Sequence, residues 1–394
     1  MLKLSDPEPT YELPPNILDL EADQPVGDPV PAIGDTQWPR IVVGTATLGA
    51  GIYNTQELVN SPEPFRAVRL ALRYGMRGFD TAAYYGTSEI VLGAILKELA
   101  DEFPRESYRI ATKCGRYGTP AEDFDYSRET IRKTVERSLK RLGTTYLDVM
   151  YLHDTEYVCT PVWPADPTGD PVKVLEDPVL SAAWGLRRED RDRVHGDGDQ
   201  KIVDAFDELR KMKEEGHIRA IGLTGYPLPV LLRLGRLVAA KGNPPDVIMS
   251  YAHWNLQNHT FEKFAPLFRE AGAKQLLTAS PLNMGYLTAS PPSWHPAGAE
   301  MIAFKNEKLL PMCSSWPGGL PNVALGYALA NTSGAMAGVP LVIGFSRPSE
   351  VHEAVAAWRE VENGSSESRK AQEAAVVAAL REAGWENHSW KSPP

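Results

Sequence analysis

Four polar residues, Asp80, Tyr85, Lys113 and His153, are spaced so that a parallel α/β fold would gather them at one point. Moving a hydride to or from a carbonyl carbon needs a group that gives or takes a proton on the oxygen. A phenol does this near neutrality only if its pKa falls from about 10, and a neighbouring ammonium favours the phenolate. Tyr85 would be that phenol and Lys113 that ammonium, with Asp80 holding the lysine and His153 orienting the substrate oxygen by a hydrogen bond. Singly, each has a plainer reading: a strand-end Asp is often a cap, a Tyr in a Tyr-Tyr pair often packs, and a Lys often snorkels. The ordered combination is what specifies carbonyl–alcohol redox chemistry.

The elements needed to position them are legible. Residues 77–81, 109–113 and 147–153 read as short strands ending at or next to Asp80, Lys113 and His153, and a helix begins near residues 87–89, just after Tyr85. Ser127 caps a segment in which Ile131, Val135, Leu139 and Leu142 recur at helical spacing. Strands near Ile41, Gly78, Ile110, Val149, Ile218, Val247, Leu276 and Val342 complete a count of eight, with helices such as that carrying Ile202, Phe206 and Leu209 between them. These units fit an α/β fold class, and at this length a single (β/α)8 TIM barrel, whose strand C-termini would converge on one mouth, is the simpler choice over two ordinary domains. Its expected limits are 39–360, after an N-terminal extension over 1–38 rich in Pro and acidic residues. Insertions at 154–200 and 283–320 leave from the mouth side, and a tail over 361–394 carries a helix around Ala371 to Leu380.

Residues 78–86, with Glu89 and Leu92-Gly93, resemble the longest signature of the aldo-keto reductase superfamily; Thr112-Lys113 and Leu152-His153 match its other two catalytic positions. The resemblance covers Arg40 to Ala356 and implies a barrel that binds NAD(P)H without a Rossmann domain, in keeping with the absence of a Gly-x-Gly-x-x-Gly after a strand. Residues 152–158, 222–228, 250–258 and 279–285, with 294–297, are similar to a branch containing fungal D-arabinose 1-dehydrogenase and plant L-galactose dehydrogenase. That branch implies oxidation of an aldose such as D-arabinose at C1 to its lactone. The resemblance also implies cofactor contacts from Thr224, Ser250, Ser280, Leu282, Gly344, Ser346, Arg347 and Glu350. Thr224-Gly225 replaces a commoner Ser-Asn, Ser250 stands about where Gln is common, and Ala279 replaces a Tyr that stacks on the nicotinamide. In NADPH-preferring relatives a basic residue lies six positions after the glycine of the last strand, where this chain has Glu350. A carboxylate repels a 2′-phosphate but accepts a hydrogen bond from a free 2′-hydroxyl, so NAD is expected over NADP. Two other roles fit the same residues: a reductase or dehydrogenase of a secondary-metabolite carbonyl, and a nicotinamide-binding regulatory subunit.

Composition narrows the partners. With 41 basic and 51 acidic residues the net charge is −10, which disfavours nucleic acid because phosphate contact needs clustered Lys and Arg. Three cysteines, Cys114, Cys159 and Cys313, have no metal-ligand spacing and suit a reducing compartment, so no metal is expected. The N-terminus lacks a signal or transit pattern and no run reaches membrane-spanning length. The expectation is a cytoplasmic enzyme of small sugar or carbonyl substrates, monomeric or a weak homo-oligomer.

Overall fold

Short apolar runs that bury both faces favour parallel pairing under a layer of helices. The computed structural model describes residues 6–33, 37–162, 167–330 and 333–392. Eight such runs form strands: β1 (Ile41–Gly44), β2 (Gly78–Asp80), β3 (Arg109–Cys114), β4 (Leu147–Leu152), β5 (Ile218–Gly225), β6 (Val247–Tyr251), β7 (Gln275–Ala279) and β8 (Leu341–Gly344). They pair in parallel and in order, and β8 returns to β1 through Leu341 opposite Ile41, closing the barrel. Every strand expected from the sequence falls in this barrel.

At least one helix of ten or more residues follows each strand: α1 (Glu63–Arg73), α2 (Ser88–Glu98), α3 (Arg128–Leu142), α4 (Asp197–Glu214), α5 (Leu228–Ala240), α6 (Phe261–Glu270), α7 (Gly319–Ala330) and α8 (Pro348–Glu362). Helix α3 starts where Ser127 accepts the Thr130 N–H and ends at Gly143, whose φ of 63° suits a residue without a Cβ. Its Ile131 and Val135 are buried, as their spacing requires. Inside the barrel, alternate residues such as Val42, Ala111, Val149, Tyr151, Val247, Met249 and Leu277 pack together. Trp38, from a short antiparallel pairing of Ala32–Ile33 with Trp38–Pro39, joins them at the end opposite the mouth.

The N-terminal arm is tied to the helices. Asp23 receives Arg66 at 2.6 Å, and Glu8 receives Arg141 at 2.8 Å. Residues 1–5, and residues 163–166 of the proline-rich run in the insertion, lie outside the described residues. The long loop after β7 does not stay a loop: with α9 (Glu367–Glu382) and the tail it builds a second apolar core of Tyr226, Leu256, Met284, Tyr286, Val376, Leu380 and Trp390. Among the described residues no helix is long and apolar enough to cross a membrane.

Candidate active site

Alternation along the strands decides which polar residues point inward. Lys113 shares the inward face of β3 with Ala111, and His153 extends the inward face of β4 set by Val149 and Tyr151. Asp80 ends β2 beside Ala111 in register. Tyr85 comes from the turn before α2, where Gly49 permits a close approach: a Cβ there would lie 2.0 Å from the Tyr85 carbonyl oxygen. Ser88 fixes the start of that helix by donating to the Thr45 carbonyl at 2.6 Å.

The four residues meet. Lys113 Nζ lies 2.5 Å from Asp80 Oδ1, 2.8 Å from the Thr81 carbonyl oxygen and 3.3 Å from the Tyr85 hydroxyl. The rings of Tyr85 and His153 stand edge to face with centroids 5.8 Å apart. Burial drives the His153 pKa well below its ordinary value, and the Lys113 and Arg116 charges act in the same direction, so the imidazole is neutral at pH 7. Burial also pushes the Tyr85 phenol well above its ordinary value, reinforced by the Asp80 and Asp154 carboxylates and opposed by Arg116. This is the reverse of the fall expected from Lys113 alone. The lysine sits closer to Asp80 than to the phenol, so Tyr85 faces an ion pair rather than a bare ammonium.

A buried lysine flanked by a carboxylate, a phenol and a neutral imidazole at a barrel mouth is an arrangement for moving a proton on a carbonyl or alcohol oxygen. The aldo/keto reductase family model matches residues 40–374. An L-galactose dehydrogenase from Arabidopsis thaliana is 33% identical over 81% of this chain and 85% of its own length. The chain belongs to the aldo/keto reductase family. A D-arabinose 1-dehydrogenase from Saccharomyces cerevisiae is 31% identical over 78% of this chain and 81% of its own length. Among solved structures, an aldo-keto reductase from Bacillus halodurans superposes with a TM-score of 0.56 at 20% identity, over 92% of this chain and 97% of that one. That likeness bears on the fold alone.

Aldo-keto reductases use nicotinamide cofactors, and several features of this one fit such a group. Buried polar atoms without a partner among the described residues, His153 Nδ1 and Asp80 Oδ2, gather beneath the mouth. Thr224 continues the inward register of Ala220 and Gly222 on β5. At the far side, exposed Gly344 and Arg347 flank the N-terminus of α8, and Ser346 Oγ accepts from Asn54 Nδ2 at 2.8 Å. Glu350 Oε2 accepts from the Ser346 and Arg347 backbone N–H groups at 2.6 and 3.2 Å.

Three expected contacts, Ser250, Ser280 and Leu282, have partners within the chain. Ser250 is fully buried, its hydroxyl near the Tyr226 carbonyl and His253 Nδ1 at 3.4 and 3.3 Å. Val247 and Met249 fill the barrel, so alternation turns Ser250 outward, and the residue of β6 facing the mouth is Tyr251, one position on. Ser280 has a φ of 65° and accepts the Met284 N–H at 2.6 Å, so it shapes the turn after β7; Leu282 is half-buried against the second apolar core.

Sequence reasoning missed Arg116, Asp154 and Glu156. Arg116 pairs with Asp154 and stacks over Tyr84 with 4.0 Å to the ring centroid. Glu156 accepts from the Tyr226 N–H at 2.9 Å and from Ser392 at 2.8 Å. The signal was two carboxylates directly after a strand-end His, a run of the chain noted only for its resemblance. The tail does approach the mouth side: Ser389 meets His253 at 3.2 Å, and the Trp390 N–H donates to the Tyr226 hydroxyl at 3.2 Å.

Proposed function

We propose that this protein oxidises an aldose such as D-arabinose or L-galactose at C1 to the lactone, with Asp80, Tyr85, Lys113 and His153 as its catalytic set. The observation that carries the reading is the buried Lys113 joined to Asp80 at 2.5 Å and to Tyr85 at 3.3 Å, beside a neutral His153. An L-galactose dehydrogenase and a D-arabinose 1-dehydrogenase among the relatives support the substrate class.

Bound NAD supplies the hydride acceptor. The residues of this chain do the rest. Neutral His153 holds the anomeric oxygen, and Tyr85, in its phenolate form, takes the hydroxyl proton as C1 becomes a carbonyl carbon. Lys113 stabilises that phenolate while Asp80 keeps the lysine charged and in place. Run backward, the protonated phenol is the acid that completes reduction of a carbonyl.

Preference for NAD over NADP is part of the proposal. The positive end of α8 attracts anions, and Glu350 already fills it from within the chain. A 2′-phosphate there would meet a carboxylate in place of free N–H groups.

The test is NADH formation from D-arabinose, L-galactose and L-fucose, with NADP in parallel and with Tyr85→Phe. Turnover that falls on the order of a hundredfold or more in the variant is expected. Absence of turnover on every aldose by a protein that binds NADH sinks the sugar assignment.

A further inference from the structure

Asp154 immediately follows His153, and its φ of 55° turns the chain sharply where β4 ends. Asp adopts this left-handed conformation more readily than most residues. The turn brings the carboxylate back beside the imidazole: Oδ2 pairs with Arg116 and lies 3.6 Å from His153 Nε2. That gap is too long for a direct hydrogen bond, and a hydroxyl about 2.8 Å from each atom would bridge it. The other oxygen, Oδ1, is buried and has no partner among the described residues, on a side chain only 2% exposed. A buried carboxylate oxygen left unpaired is costly, whereas an incoming donor would satisfy it.

The surroundings restrict what that donor can be. Tyr84, Tyr85 and His153 form a triangle of rings with centroids 5.7 to 6.1 Å apart; the Asp154 carboxylate lies 3.6 Å from its His153 corner, and the Arg116 partner of Asp154 stacks 4.0 Å over its Tyr84 corner. Asp154 therefore borders the space in which a substrate oxygen meets Tyr85 and His153. Arg116 neutralises the carboxylate overall but approaches through Oδ2, leaving Oδ1 as a directed acceptor. An acceptor beside the group that orients the reacting oxygen is matched by a hydroxyl on the neighbouring carbon.

We propose that Asp154 is a substrate-binding residue whose Oδ1 accepts a hydrogen bond from the hydroxyl on the carbon next to the reacting one. It selects 2-hydroxy aldehydes and aldoses over their 2-deoxy counterparts. The assignment rests on the carbonyl redox reading of the same mouth, and it deepens that reading by naming the substrate feature that is recognised.

The experiment compares kcat/KM within two pairs on the full-length protein: D-arabinose against 2-deoxy-D-ribose in oxidation, and D-glyceraldehyde against 3-hydroxypropanal in reduction. The 2-hydroxy member of each pair should be favoured on the order of tenfold or more, the worth of one hydrogen bond to a charged acceptor. In Asp154→Asn the preference should shrink toward parity. Because that variant also strips Arg116 of its partner, the wild-type ratios decide first. Equal efficiency with and without the 2-hydroxyl in the wild type overturns the assignment, as does an undiminished preference in a folded Asp154→Asn that still binds NADH. If no aldose is oxidised but glyceraldehyde keeps its advantage, the sugar reading falls and the role of Asp154 stands.

Discussion

Lys113 and Asp80 form an ion pair at 2.5 Å inside the barrel, both side chains at most 5% exposed. The pair is the structural centre of the site, because the same ammonium reaches the Tyr85 hydroxyl and the Thr81 carbonyl oxygen. Its position follows from register: Asp80 lies opposite Ala111, and Lys113 one inward step further along β3. Removing one partner leaves the other charge buried alone, whereas removing both leaves none.

Asp80→Asn should accordingly destabilise the protein by about 3–5 kcal/mol, measured by urea unfolding. Asp80→Asn combined with Lys113→Met should recover much of that loss, since an apolar replacement of a buried pair is often neutral. Additive losses in the double variant would mean that the two charges do not depend on each other.

The raised Tyr85 pKa sets the pH dependence of turnover. A phenol protonated at neutrality is a ready acid, so reduction should be flat through pH 7 and decline at alkaline pH. Oxidation needs the phenolate and should rise steadily with pH over the same range. Profiles of kcat/KM in both directions check this; an oxidation rate that is flat or falls above pH 7 contradicts it.

Glu156 affects stability in a separate way. Burial, then the nearby Asp154 charge, pushes its carboxyl up to about 8 from an ordinary value of 4.5. Folded protein thus holds a proton that the unfolded chain loses, so this contribution is complete below about pH 4.5 and is lost as pH rises to about 8. Glu156→Gln cannot ionise, so its Tm should gain on the wild type as pH rises from 5 to 8 and the difference should level off above that window. A pH-independent difference in Tm excludes the linkage.

Cofactor choice is testable at Glu350. Glu350→Gln keeps an acceptor for the N-terminus of α8 but removes the charge. The ratio of NADP to NAD efficiency should rise on the order of tenfold, as expected for one charge near a phosphate. An unchanged ratio would place the adenosine 2′ position away from this helix.

Much of this was legible in the chain itself. Asp80, Lys113 and His153 stand at or next to the ends of apolar runs, and in a parallel barrel that placement alone brings them to one mouth. Ser127 and the spacing of Ile131, Val135 and Leu142 located α3, because capping and periodicity are local. Glu89 and Gly93, part of the same signature, have structural duties: Glu89 takes Thr112 at 2.7 Å and Arg141 at 3.1 Å, while a Cβ at Gly93 would strike the Arg141 carbonyl oxygen at 2.0 Å.

The sequence by itself determined the barrel, the family and the four residues at its mouth, because these depend on residue type, spacing and strand order. Only the tertiary structure decided the direction of the Tyr85 shift, the exchange of Ser250 for Tyr251 as the inward residue of β6, and the approach of Ser389 and Ser392 to the loops after β4 and β6. Desolvation, the facing of a side chain within one residue of register, and contacts across more than a hundred positions depend on what surrounds each atom. Those surroundings exist only once the chain has closed on itself.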